Sequence, residues 1–140
     1  MKINKILILS IASAVIIAGL LFYFRHDISL FDFLFKTKRD VSGEVSISVI
    51  PDFSQGVDVK ISMSTKGGEL NADMVHAAVF EDEDGTVHLP TSWEGDAPGG
   101  KKREGVLHFG IFTPMPKKVD LTILNIGTVS ERKFSWMVPL

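Results

Sequence analysis

The sequence has no cysteine, and its first forty residues have no proline and a single glycine. Without cysteine the chain has no disulfide framework, no thiol nucleophile and no thiolate metal ligand, although this absence does not fix the compartment. Several enzyme motifs are also missing, because the sequence contains no G-x-S-x-G, no H-E-x-x-H, no P-loop and no G-x-G-x-x-G. We therefore expect no enzymatic activity, no catalytic residue and no cofactor.

Charge is divided unevenly along the 140 residues, although 15 Lys plus Arg and 17 Asp plus Glu give a net charge of only −2. Residues 1–40 carry six basic and three acidic side chains, whereas residues 41–140 carry nine and fourteen, so the net charges are +3 and −5. All six prolines lie in the second part. The two parts therefore have different architectures, and the acidic balance of the second part disfavours nucleic-acid binding.

Residues 6–24 form an apolar run without a charged residue or a proline. As a helix with a rise of ~1.5 Å per residue, this run extends ~28 Å, close to the ~30 Å hydrocarbon core of a bilayer. We expect a short tail at residues 1–5 followed by an uncleaved transmembrane signal anchor at residues 6–24. A cleaved signal peptide is the alternative, but the run is long for one, and its only A-x-A-like step lies in its middle at Ala12 to Ala14.

The flanks of this run predict its orientation and its contacts with lipid. Lys2 and Lys5 favour an N-terminus inside the cell, whereas the other flank carries more positive charge. Since a basic start before a single apolar run is usual for export, we expect a single-pass protein of the cell membrane with its C-terminal domain outside the cytoplasm. Residues 25–42 form a juxtamembrane segment, in which the apolar stretch 28–35 either lies on the headgroups or continues the membrane helix. The expected membrane-interface residues are Tyr23, Arg25, Lys36, Lys38 and Arg39.

From residue 43 onwards, apolar and polar residues alternate, as in strands with one buried face. The alternation and its turn residues, such as Asp84-Gly85, predict seven strands at about 45–49, 57–63, 74–80, 86–89, 105–112, 118–126 and 132–138. Seven short strands in about a hundred residues predict an all-β fold, an immunoglobulin-like antiparallel β-sandwich over residues 43–140. The expected core consists of Val45, Ile47, Val59, Ile61, Val79, Leu107, Phe109, Leu121, Ile123, Phe134 and Trp136.

Residues 91–104 form the longest irregular segment that the sequence predicts. Long loops on a rigid β scaffold often carry binding function. Trp93 offers a large rigid surface, and Arg103 could stack on it or grip a carboxylate or phosphate. The predicted partner-binding residues are Trp93, Glu94, Asp96, Lys101, Lys102 and Arg103. The alternative is structural, with Trp93 closing one end of the sandwich and the Pro-Gly-Gly turn folding the loop over it.

The segment from Trp93 to Phe109 also resembles a recurring segment of exported or membrane-anchored immunoglobulin-like β-sandwich proteins of bacteria and archaea. The shared pattern is W-x-G-x-x-P-G-G-x-x-R-x-G-x-L-x-F, which the sequence matches at Trp93, Gly95, Pro98, Gly99, Gly100, Arg103, Gly105, Leu107 and Phe109, with Phe134 and Trp136 as further matches. Lys101 and Lys102 replace a histidine pair of that pattern, so a metal or proton role of those histidines does not carry over. The resemblance implies a fold and an export context, and it implies no activity.

The remaining candidates for chemistry are three histidines in separate predicted strands, His76, His88 and His108. None has a second ligand at a short metal-binding spacing, although β-sandwiches can collect ligands from separate strands. We therefore predict a non-enzymatic interaction module that binds a protein or cell-envelope partner through the 91–104 loop or through a sheet edge. The alternative function is a small-ligand or metal-binding domain for copper or zinc, with these histidines as its candidate ligands.

Overall fold

The structure is a computed structural model that describes residues 15–19 and 36–139. The chain divides into two compact units, Met1–Phe35 and Lys36–Leu140. In the first unit, the described residues 15–19 are helical and exposed. No helix within the described residues is long and apolar enough to cross a membrane. The remainder of the predicted anchor, the tail at 1–5 and the stretch 28–35 lie outside the described residues, and the anchor stays a prediction.

The second unit is built from nine strands and one helical turn among its described residues. In chain order these are β1 (Lys38–Asp40), β2 (Val45–Asp52), β3 (Val57–Thr65), α1 (Met74–Ala77), β4 (Ala78–Asp82), β5 (Val87–His88), β6 (Ser92–Gly95), β7 (Lys102–Gly110), β8 (Lys118–Ile126) and β9 (Val129–Met137). One sheet has the order β1-β2-β3-β7-β6 and the other has the order β5-β4-β8-β9. Every pairing is antiparallel, which confirms the predicted all-β sandwich.

The core lies between the two sheets and follows the alternation of the sequence. Along β2, for example, Val45, Ile47 and Val49 are buried while the intervening serines are half-buried. Ten of the eleven predicted core residues are buried, and Val79 is the exception, being only half-buried.

The prediction of one continuous strand over residues 74–80 is wrong. Asp73 caps the helical turn α1 by accepting a hydrogen bond from the backbone N–H of Val75, and the strand begins only at Ala78. In this strand Ala78 and Phe80 face the core, opposite the buried Ile123 and Leu121 of β8, whereas Val79 lies opposite the half-buried Thr122.

Two further strands, β1 and β6, bring the number from the predicted seven to nine. β1 lies within the segment 25–42 that the sequence predicts to be juxtamembrane, and it pairs with β2. β6 lies within the predicted 91–104 loop and pairs with β7. The compact unit therefore starts at Lys36, before the predicted boundary at residue 43.

Candidate functional site

Three of the predicted partner-binding residues, Trp93, Asp96 and Arg103, come together in one unit. The Arg103 guanidinium carbon lies 5.2 Å from the centre of the Trp93 ring. Both side chains donate to the carbonyl oxygen of Asp96, Trp93 from Nε1 at 3.0 Å and Arg103 from Nε at 3.1 Å. Arg103 is only 2% exposed. The predicted stacking of Arg103 on Trp93 is thus present, but it stabilises the end of the sandwich and leaves Arg103 unable to reach a flat partner surface.

The glycines of the same segment allow this unit to form. Gly99 and Gly100 adopt positive φ angles of 119° and 72°, which non-glycine residues rarely take. Their turn pairs with Leu70, whose carbonyl accepts from the Gly99 N–H at 2.9 Å and whose N–H donates to the Gly100 carbonyl at 3.0 Å. The 91–104 segment is therefore an edge strand and a pinned turn, and the prediction of one long irregular loop is wrong.

The other predicted partner-binding residues lie apart from this unit. Lys101 Nζ donates to the carbonyl of Gly68 at 2.5 Å. Lys102, at the start of β7, is exposed and lies opposite Ser64 of β3. Glu94, whose side chain is 84% exposed, accepts from His108 Nε2 at 3.3 Å. The six residues consequently do not form one continuous contact surface.

The three histidines also lie in separate environments, each beside a carboxylate. His76 is on α1 and lies 2.7 Å from Asp73, and His88 is on β5 and lies 3.1 Å from Asp82. Within the described residues, no group of three or more His, Cys, Asp or Glu residues is arranged to hold a metal ion.

His108 is held between two carboxylates on neighbouring strands. Its Nδ1 lies 2.9 Å from Asp58 of β3 and its Nε2 lies 3.3 Å from Glu94 of β6. The hydrogen bond with Asp58 is the main cause that raises the pKa of His108, and partial desolvation opposes it. Because the carboxylates lie on opposite sides of the ring, they favour the imidazolium ion and do not converge on one point.

Among the strands that the structure describes, β9 has the longest edge at a sheet margin, with nine residues. The other three margins are β1, β5 and β6, with three, two and four residues. The backbone N–H of Val138 donates to the carbonyl of Lys117 at 2.8 Å, and the pairing with β8 continues in the same register to Val129. Since backbone groups alternate along an antiparallel strand, those of Glu131, Lys133, Ser135 and Met137 point away from β8, towards the free edge.

An open cleft of about 480 Å³ runs between this edge and β1. Lys38, Arg39 and Asp40 line it from β1, and Lys133 and Ser135 line it from β9. Two predicted membrane-interface residues, Lys38 and Arg39, are thus on a strand of the sandwich. Lys36 is tied to the same region, because its carbonyl accepts from Trp136 Nε1 at 2.6 Å, whereas Tyr23 and Arg25 lie outside the described residues.

The β9 edge as such was not singled out in the sequence, although its strand was predicted at 132–138. A period-two pattern shows which face of a strand is buried, but it is the same for an edge strand and a central one. The one feature of the sequence that indicates an edge strand here is the charge of Glu131 and Lys133 on the exposed face. In the structure these two side chains form an ion pair at 3.1 Å.

Known proteins provide no further guide to the site. No protein-family model, curated protein or solved structure matches the chain. The resemblance of the segment from Trp93 to Phe109 therefore stays a prediction.

Proposed function

We propose that this chain is a membrane-anchored display protein whose β-sandwich binds an extended segment of a partner protein along the free edge of β9. The apolar run at residues 6–24 supports the anchor, and its flanking charges support a domain outside the cytoplasm. The module acts by binding alone. The observation that carries the proposal is the length of the β9 edge compared with the three short edges.

We further infer that the sandwich is immunoglobulin-like. The order β2-β3-β7-β6 corresponds to strands A-B-E-D of that fold, and β5-β4-β8-β9 corresponds to C′-C-F-G. β1 is then an addition beside strand A. In this assignment β9 is strand G, which forms a margin of its sheet.

Backbone geometry supports strand addition at this edge. A partner strand that pairs with β9 would use the outward N–H and C=O groups of Glu131, Lys133, Ser135 and Met137. No described residue outside β8 forms a backbone hydrogen bond with these four residues. Strand addition obtains its affinity from such main-chain bonds and its specificity from alternate side chains.

The side chains along the edge favour a selective partner over general aggregation. Glu131 and Lys133 place opposite charges on the exposed face, and Met137 adds an apolar side chain that is 73% exposed. Charged residues on an edge oppose pairing with arbitrary strands. A matching strand would therefore carry complementary charges opposite Glu131 and Lys133 and an apolar residue opposite Met137.

The substitution Ser135→Pro tests the proposal. The Ser135 N–H points away from β8, so Ser135→Pro removes one outward donor and adds bulk at the free edge without breaking the ladder inside the sheet. The full chain, with a photo-crosslinking amino acid in place of Met137, is irradiated in its native membranes. We expect a discrete adduct with a second protein, and we expect Ser135→Pro to abolish it.

Ser135→Ala is the matched control, because it removes the same hydroxyl and keeps the N–H. This variant should retain the adduct, and both variants should unfold within about 1 kcal/mol of the original chain. Equal adduct formation by the proline and alanine variants would contradict the proposal. A crosslinker in place of Ser62, on the opposite sheet, is a second control, and an adduct as abundant as that from position 137 would also contradict the proposal.

A further inference from the structure

Arg103 carries a buried positive charge that no described carboxylate contacts. The side chain is in the fully buried part of the domain, and no Asp or Glu among the described residues forms an ion pair with it. Its partners are backbone carbonyls, those of Asp96, Leu70 and Ala72. Burial lowers the pKa of Arg103, and the nearby carboxylates of Asp73 and Asp96 oppose this shift. A buried charge normally has an ion partner in contact with it, whereas these two carboxylates act on Arg103 without touching it.

The Arg103 guanidinium still has N–H groups without an acceptor among the described residues. Nε and Nη1 make all three of the hydrogen bonds to carbonyls, and Nη2 donates to no described group. An arginine has five N–H donors, of which Nη2 carries two. Nη2 can therefore donate to an added acceptor.

A cleft at this end of the sandwich gives access to Arg103. It has a volume of about 440 Å³, within the usual range for small-ligand sites. Its other lining residues include Asn71, Asn125, Met63 and Leu70. Glu69 also lines it and is exposed. The cleft thus combines one buried cation with two asparagines and apolar residues.

We infer that this cleft binds a monocarboxylate, with the carboxylate on Arg103 Nη2. One negative charge matches the single charge of Arg103, whereas a dianion such as sulfate would bring a second negative charge close to Glu69, Asp73 and Asp96. The amides can donate to the remaining carboxylate lone pairs. The carboxylate could belong to a small free acid or to the C-terminus of a peptide. This site is separate from the β9 edge and does not depend on it.

The test is a titration of the purified full chain in detergent with N-acetylglycine at constant ionic strength. The side-chain Nε–H signal of Arg103 and the indole N–H signal of Trp93 are followed by nuclear magnetic resonance. We expect both signals to move along one saturable curve, with half-saturation at roughly 1–10 mM. N-acetylglycinamide, which lacks the charge, should cause no saturable change. A linear response up to 50 mM, or an equal response to the amide, would overturn the inference.

Glu69→Gln provides a variant that preserves the fold, because Glu69 is exposed and the change keeps the size of its side chain. Removing this like charge should tighten binding about fivefold, while the matched change Glu81→Gln on β4 should leave it unchanged. Unchanged binding by Glu69→Gln would place the carboxylate elsewhere and overturn the inference. N-acetyl-trialanine distinguishes the two sources of the carboxylate. If it binds more tightly than N-acetylglycine, the ligand is a peptide C-terminus, and if the two bind equally, the ligand is a small free acid.

Discussion

At Gly105 the backbone of β7 runs against the indole of Trp93 on the neighbouring strand. A side-chain carbon added at Gly105 would collide with that ring and with the carbonyl of Glu94. Gly95, directly opposite Gly105 in the register, is similarly confined by the backbone of β7. The spacing of Trp93, Gly95 and Gly105 is therefore explained by an aromatic ring covering a pair of cross-strand glycines. These are residues of the pattern that suggested the resemblance, and their role here is in packing.

Gly105→Ala should accordingly destabilise the domain. The added methyl group must displace Trp93 or separate β6 from β7, and overpacking of this kind costs roughly 1–3 kcal/mol. Urea unfolding followed by tryptophan fluorescence and circular dichroism measures the loss. The control is Glu104→Ala on the exposed face of the same strand, which should change the free energy of unfolding by less than about 0.5 kcal/mol. Equal free energies of unfolding for Gly105→Ala and Glu104→Ala would show that the space between β6 and β7 accommodates a side chain.

Among the elements, β6 is short and depends on side chains for part of its attachment. Besides its backbone pairing with β7, it is joined to the sheet by Glu94, which contacts His108, and His108 in turn contacts Asp58 on β3. The three side chains thus link three strands in a row. An imidazolium ion between two carboxylates stabilises this arrangement more than neutral imidazole does, which is why the pKa of His108 is raised.

This linkage predicts that the free energy of unfolding falls as the pH rises above about 6.5. The pKa of His108 in the folded protein lies above its ordinary value of 6.5, so the folded state binds the proton more tightly than the unfolded state. The added stability is present in full below about pH 6.5 and is lost as the pH rises through the raised pKa. Urea unfolding between pH 5.5 and 8.5 should show this decline, and His108→Gln should flatten it.

The control for the pH dependence is Ser62→Ala, a change on the exposed face of β3 that leaves all three charged groups in place. Its profile should be parallel to that of the original chain. An unaltered slope in His108→Gln would mean that His108 contributes nothing to the pH dependence.

At the scale of the whole molecule, side chains of β9 attach the segment before residue 43 to the sandwich. Arg132 is buried on β9 and donates to the carbonyls of Ser42 and Ile126 at 2.8 Å each, and its Nε lies 3.7 Å from the Asp40 carboxylate. Trp136 holds Lys36 in the same way. Both contacts cross from β9 to the segment before residue 43, so this segment belongs to the folded domain.

Truncation tests this boundary. Residues 36–140 should unfold in one cooperative transition, whereas residues 43–140 should lose roughly 2–4 kcal/mol, because Arg132 is left without Asp40 and β2 loses its neighbour β1. Urea unfolding of the two fragments by circular dichroism measures the difference. Arg39→Ala within residues 36–140 removes an exposed side chain and should have little effect. Equal free energies of unfolding for the two fragments would support the predicted start of the domain at residue 43.

Sequence alone determined the all-β class, most strand positions and ten buried core residues, because burial of one sheet face imposes a period of two. It also indicated that Trp93 and Arg103 meet. Tertiary structure decided the rest. β1 and β6 are too short to show a period, and residues 74–77 form a helical turn where the alternation predicts a strand. Which strand is left with a free edge, and which arginine is buried without an ion partner, depends on contacts between residues far apart in the chain, which a local pattern does not contain.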